Sequence, residues 1–238
     1  MKEAAIRARN ATWTIFFVMG ILSMAWVPRI PEIKHSLGVN NGQFGLILLS
    51  STTGAVISAQ ISGRLVHMWG SPRVLKASVL LMPIGLILMS LSTTSVLAMC
   101  PSLFVMAFGY VGIDVCANTQ AVAIEKILDK RYMSSFHGLW SIGSFVATLF
   151  GGIISHFISP RANLLVVGAI GIVVMQVVVR QVLPKDADNH KGDSDSSGSI
   201  KLFARKYLIL WLIGFALIGA LLPEGAVSDW AGILLKEN

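Results

Sequence analysis

FGLILLSSTTGAVISAQISGRLVHMWGSPRVLKASVLLMPIGLILMSL, residues 44–91, reads as two apolar runs, Phe44–Leu65 and Val74–Leu91, with Arg64, His67 and Arg73 gathered around the joint. A helix needs about 20 mostly apolar residues to cross the hydrocarbon of a bilayer, and each run is close to that length. With water excluded, the backbone groups of each run must be satisfied inside the run itself, so both are expected to be helices. The chain therefore crosses a membrane, turns in a short basic loop, and crosses back.

The same pattern extends in both directions. Ala11–Val27, Val96–Ala121, Leu139–Ile158, Ala162–Leu183 and Tyr207–Leu235 bring the number of expected spans to seven. The composition agrees, with 54% apolar and only 13% charged residues in 238, against about 45–50% and about 25% in soluble domains. A soluble globular enzyme, a disordered chain and a small disulfide scaffold are thereby excluded. Cys100 and Cys116 both lie within apolar runs, so no extracellular cystine framework is implied. No metal-ligand spacing, phosphate-cradling glycine loop or nucleophile elbow occurs, so neither an enzyme nor a bound metal or cofactor is expected. The fold class is all-α and polytopic.

The net charge of +7 might suggest nucleic acid. Its distribution argues otherwise. Of the 19 Lys and Arg residues, 15 fall on the side of the N-terminus; Arg29, Lys34, Arg161 and Lys236 are on the other. Cytoplasmic loops carry the basic excess, which sets the N-terminus in the cytoplasm and the C-terminus outside. Membrane lipid, not nucleic acid, is the partner this charge implies. Lys2, Arg7 and Arg9 ahead of the first run resemble a signal peptide, but the spans that follow favour a retained first helix. A retinal protein is excluded because no Lys lies between Lys206 and Lys236, and the N-terminal orientation opposes a receptor of the G-protein type.

Helices in lipid approach through small residues. Ser50, Gly54, Ser58 and Ser62 lie four apart in the second span, beside the row Ser51, Ala55, Ala59, Gly63; Gly143, Ala147 and Gly151 repeat the spacing in the fifth. Two such faces three spans apart suggest a three-plus-three internal repeat. Ionisable groups at membrane depth mark functional surfaces. Asp114 is the clearest, with Asn118 one turn on and on the same face. A carboxyl group withdrawn from water favours its protonated form, the property of a proton carrier. Glu224 and Asp229 follow Pro223, where either a discontinuous helix lines a site or the helix ends and the carboxylates meet water. Gln60 and Gln176 read as interhelical hydrogen bonders, and His137 as a loop or interface residue. Trp26, Trp140, Trp211 and Trp230 sit near expected span ends, where an interfacial aromatic belt accounts for them. Residues 184–206 are polar and read as a flexible linker; the faint calcium-loop pattern from Asp186 has Ser197 where the bidentate Glu belongs.

The joint at 63–74 resembles the conserved cytoplasmic loop of the major facilitator superfamily. Gly63, Leu65, Gly70 and Arg73 fit that pattern, with Arg64 inside it, while His67 stands where the family has Asp and Met68 where a basic residue is usual. In the family that Asp latches one conformation. Residues 26–34 and 37–45, the run Asp114-Val-Cys-Ala-Asn118, and Glu224-Gly-Ala-Val-Ser-Asp229-Trp230 are similar to the fucose-permease-like branch. There the acid of the fourth span is associated with proton coupling and the Asn with solute binding. The first span here has none of the branch's acidic residues.

The resemblance implies a six-span N-terminal bundle at 1–183, a cytoplasmic linker at 184–206, and at 207–238 the seventh span, which begins an incomplete second half. It implies a secondary transporter of small polar solutes in the inner membrane, sugar-like or other and proton-coupled, working by alternating access. Asp114, Asn118 and Glu224 are its expected solute or proton contacts. A family carrier is about twelve spans long, so the alternatives are a truncated or split half-carrier, completed by a separate chain or a second copy, and a regulatory membrane subunit.

Overall fold

A computed structural model describes residues 1–188 and 208–237. The backbone divides into two units, residues 1–188 and 189–238. The described residues of the first form helices α1 (Lys2–Met24), α2 (Ile30–Leu37), α3 (Asn41–Trp69), α4 (Ser71–Leu91), α5 (Val96–Leu128), α6 (Met133–Ile154) and α7 (Pro160–Val178); those of the second form α8 (Leu208–Glu237). Among the described residues, seven helical stretches are long and apolar enough to cross a membrane, α1 and α2 counting as one. The linker expected at 184–206 lies mainly outside the described residues.

Local chemistry sets the helix ends. Asn40 caps α3: its side chain accepts from the Gln43 N–H at 2.9 Å, and the Gln43 side chain accepts from the Asn40 N–H at 3.0 Å. Ser95 and Ser159 cap α5 and α7. Two prolines, Pro28 and Pro31, start the turns that redirect the chain after α1. Between α3 and α4 the whole reversal is made at Gly70, whose φ of +84° is open to glycine at little steric cost. Lys185 folds back over this corner and donates from Nζ to the Met68 carbonyl at 3.0 Å, occupying one of the acceptors left at the end of α3.

The small-residue faces are where the helices cross. On α3, Gly54, Ser58 and Ser62 are buried, whereas Ala59 and Gly63 of the neighbouring row are exposed. A Cβ at Gly54 would land on the carbonyl oxygen of Phe104 in α5, and Ser58 Oγ donates to the Phe108 carbonyl at 2.7 Å. On α6 the buried residues are Phe136, Gly143, Ala147 and Gly151. A Cβ at Gly143 would land on the carbonyl oxygen of Phe17 in α1. The second span thus packs on the fourth as the fifth packs on the first, which is the pairing a three-plus-three repeat produces. An apolar recess of about 150 Å³ remains between α1, α6 and α7, with Asn163 as its one polar side chain.

Three details differ from the sequence reading. Gln60 is exposed and has no partner among the described residues, and Gln176 Nε2 is buried without one. The glutamine that ties helices is Gln120, whose Nε2 donates to Ser71 Oγ at 2.7 Å and to the Leu183 carbonyl at 3.1 Å while its Oε1 accepts from the Leu183 N–H at 2.8 Å. Trp26 is buried in protein rather than held in an interfacial belt. In α8, Pro223 is carried inside an unbroken helix, so neither a discontinuity nor a helix end occurs there. A membrane helix tolerates this because neighbouring groups re-satisfy the one backbone bond lost.

Candidate functional site

Asp114 lies in the middle of α5, about 3 Å beyond its midpoint at 1.5 Å per residue. One turn later Asn118 points along the same face. Its Nδ2 donates to the Asp114 backbone carbonyl at 2.9 Å and to carboxylate Oδ1 at 3.0 Å. Both side chains are half-buried. On the other side, Asn118 Oδ1 lies 3.3 Å from His137 Nε2 of α6. The imidazole is exposed and meets the Phe16 ring of α1 edge-on, with centroids 5.1 Å apart. Three polar side chains from two helices therefore form one connected chain on a face that remains open.

The sequence places His137 in a loop or at an interface, not at the solute site. Hydropathy starts the fifth span at Leu139, but α6 begins at Met133. The reason is electrostatic capping. The Glu125 carboxylate accepts from the backbone N–H groups of Tyr132 and Met133, the latter at 2.8 Å, and so satisfies donors that the first turn of α6 leaves free. Glu125 at the end of one apolar run, a few residues before the next, was the available signal. The chain reverses at Asp129, whose φ is +52°.

Below His137 the site continues into an aromatic cluster. Trp13 Nε1 donates to Ser135 Oγ at 2.9 Å, and the Arg9 guanidinium lies 4.5 Å from the Trp13 ring and 5.3 Å from that of Tyr132. Phe16 stacks on Phe136 at 5.7 Å. This cluster fastens the start of α6 to α1 and thereby fixes the height of His137. At the opposite end Arg29 is fully buried; it donates to Glu32 Oε1 at 3.1 Å and to the Ile158 carbonyl, joining the turn after α1 to the turn before α7.

Other expected residues stand apart. Gly63, Arg64 and Arg73 are exposed, Leu65 is half-buried and Gly70 is buried at the corner. His67 is exposed and has no hydrogen-bond partner among the described residues. Glu224 belongs to the second unit, where it is exposed, and Asp229 is half-buried one turn further along α8. Among the described residues no group of three or more His, Cys, Asp or Glu is placed to hold a metal ion. The recess by Asn163 is too apolar to serve a polar solute.

Seven helices among the described residues are long and apolar enough to cross a membrane, and one of them carries the Asp114–Asn118 pair at its middle. The profile of the Major Facilitator Superfamily matches residues 12–232, and the chain belongs to that family. It is a multi-pass membrane protein of a transporter family, not an enzyme. It is 28% identical to an uncharacterized MFS-type transporter of Yersinia pestis, over 98% of this chain and 59% of that protein. It is 27% identical to the membrane protein MosC of Rhizobium meliloti, over 92% of this chain and 52% of that one. It is 30% identical to the uncharacterized transporter y4wD of Sinorhizobium fredii, over 93% and 57% respectively. The crystal structure of the nucleoside transporter NupG superposes with a TM-score of 0.69 at 16% identity, over 93% of this chain and 56% of that one, a likeness of fold. The chain spans between half and three fifths of the length of these relatives.

Proposed function

We propose that the chain moves small polar solutes across the inner membrane by alternating access, with Asp114 and Asn118 as the groups that meet the solute and Asp114 as the carrier of a coupled proton. The observation that carries this is the Asp114–Asn118 pair, half-buried and hydrogen-bonded at the middle of α5. An ionisable group at that depth is costly unless it serves a cavity or a partner. Its carboxylate accepts from a solute hydroxyl or amine, and its protonation removes the charge before the site reorients. Glu224 is a third polar contact in this reading. The basic excess on one side supports a cytoplasmic N-terminus and an outside C-terminus, with residues 184–206 as the cytoplasmic linker between a six-span bundle at 1–183 and the span at 207–238. Gly63, Arg64, Leu65, Gly70 and Arg73 form the conformational loop, in which His67 takes the place of the family's Asp. In this reading an opposing wall, from a separate chain, a second copy or further residues of the same protein, completes the site.

The test is uptake into proteoliposomes holding an imposed proton gradient, with a panel of radiolabelled monosaccharides, nucleosides and amino acids. Asp114→Asn is expected to abolish gradient-driven accumulation while leaving the protein folded, and Asp114→Glu to retain part of it. Equal accumulation by the native chain and Asp114→Asn contradicts the role given to Asp114.

A further inference from the structure

Asn118 is a directional connector. A side-chain amide carries its donors on nitrogen and its acceptor on oxygen. On the Asp114 side Nδ2 faces two oxygen acceptors, at 2.9 and 3.0 Å. Turned over, the amide would set its carbonyl oxygen against both while the carboxyl is ionised. The orientation is therefore fixed by Asp114, and Oδ1 is left to face His137 Nε2 at 3.3 Å. An oxygen acceptor in that place requires a proton on Nε2.

We propose that His137 is the third member of the Asp114–Asn118 site, and that the Asn118 amide couples the protonation of Asp114 to that of His137. The proposal rests on the reading of Asp114 and Asn118 as the solute-facing pair. Two arrangements connect the three side chains, and the second is the costlier because it also turns Asn118 Oδ1 toward the Asp114 backbone carbonyl. In the first, the Asp114 carboxylate accepts from Nδ2 and His137 donates from Nε2 to Oδ1. In the second, Asp114 is a carboxylic acid whose O–H donates to Oδ1 after the amide turns over. Nδ2 then donates to Nε2, which has lost its proton and keeps one on Nδ1. Starting from an imidazolium, one proton arrives at Asp114 as one leaves Nε2 for water, and the number bound is unchanged. Starting from the neutral Nε2–H ring, the ring proton moves through water to Nδ1 and the site gains one proton. His137 is exposed, so exchange with water has a route.

The surroundings leave Asp114 as the group linked to His137. From α5, Glu125 is held by the N–H groups of Tyr132 and Met133. From α1, Arg9 is engaged by Asn10 Oδ1, the Tyr132 hydroxyl and the Trp13 ring. Phe16 presents only a ring face to the imidazole. Asp114, by contrast, is joined to it through the Asn118 amide. In both arrangements Asn118 occupies Nε2, so what is left to a solute is the free oxygen of the Asp114 carboxyl group and the Nδ1 edge of the imidazole: a carboxylate in the first, a carboxylic acid beside an Nδ1–H in the second, which suits a polyol or amide able to exchange donor for acceptor.

The test uses the full chain in lipid nanodiscs with ¹⁵N-labelled histidine and ¹³C-labelled aspartate, followed by NMR across pH. The His137 signal is assigned by its loss in His137→Gln. In the native chain the His137 ring nitrogens and the Asp114 carboxyl are expected to change together. In Asn118→Leu that joint change is expected to be lost, with the His137 midpoint moving away from its native position. Asn118→Ala is run alongside, and thermal melting shows which variants keep the fold. A midpoint that shifts in Asp114→Asn but stays put in both Asn118 variants means plain through-space attraction and overturns the role of the amide. A midpoint indifferent to all three substitutions removes His137 from the site altogether. Neither result depends on transport, so the failure of this proposal and a failure of Asp114 in the uptake assay are separately visible.

Discussion

Replacing Gly143 by Ala adds one methyl group to α6, and its effect is predictable from where that methyl points. At Gly143 it would meet the Phe17 carbonyl oxygen, with the Ile21 nitrogen 3.2 Å away. These are backbone atoms of α1 and cannot rotate aside. The helices must separate, and the dispersion contacts along the crossing weaken with them. Overpacking of this kind costs about 1–3 kcal/mol, and a backbone obstacle puts Gly143 toward the upper end. At Gly138, five residues earlier on the same helix, an added Cβ has nothing within 4 Å. There the substitution gains up to about 1 kcal/mol from helix propensity alone. The two variants should therefore move in opposite directions and stand about 2–4 kcal/mol apart. Gly54→Ala, which meets the Phe104 carbonyl across α3 and α5, should match Gly143→Ala because it occupies the corresponding place in the repeat. Reversible unfolding of the purified chain by titration with a denaturing detergent measures all three. Equal stability of Gly138→Ala and Gly143→Ala would refute the crossing geometry.

Further consequences can be checked in the same preparation. Gln120→Leu strands the N–H and carbonyl of Leu183 and should cost about 2 kcal/mol or more in the unfolding titration. Glu32→Leu leaves the fully buried Arg29 guanidinium with the Ile158 carbonyl as its remaining partner, so it should lower the melting temperature more than Arg29→Met does. Cys116 is buried and Cys100 only partly so; a maleimide should label Cys100 in the folded chain and Cys116 only after unfolding, as read by mass spectrometry.

Hydropathy and small-residue spacing carried most of the fold, because lipid imposes helices and helices in lipid must find small faces. The row through Gly54 and Ser58 and the row through Gly143 and Ala147 are the buried ones. What hydropathy could not carry were the polar devices at helix ends. Glu125 starts α6 ahead of its apolar run, and that shift brings His137 beside Asn118. Gln120 sits in the same helix as Asp114 but on its buried side, a distinction that one sequence does not make without knowing which neighbour each face meets. Pro223 suggested a break because its cost in water is large; in α8 the helix runs through it. Asn118 lay one turn from Asp114 in the sequence, and the 3.0 Å contact follows directly from that spacing.

The face carrying Asp114, Asn118 and His137 is expected to meet water and solute rather than lipid. Cysteine accessibility reads this directly. In a chain with Cys100→Ser and Cys116→Ala, single cysteines are placed at Asn118, His137, Val166 and Val173. Val166 and Val173 on α7 are 52% and 64% exposed, so they lie on an open apolar face and serve as the lipid-facing reference. A charged, membrane-impermeant thiol reagent applied to both sides of the bilayer should modify the cysteines at 118 and 137 and leave those at 166 and 173 untouched. Cysteines at 118 and 137 as inert as those on α7 would place this face against lipid and remove it as a solute path.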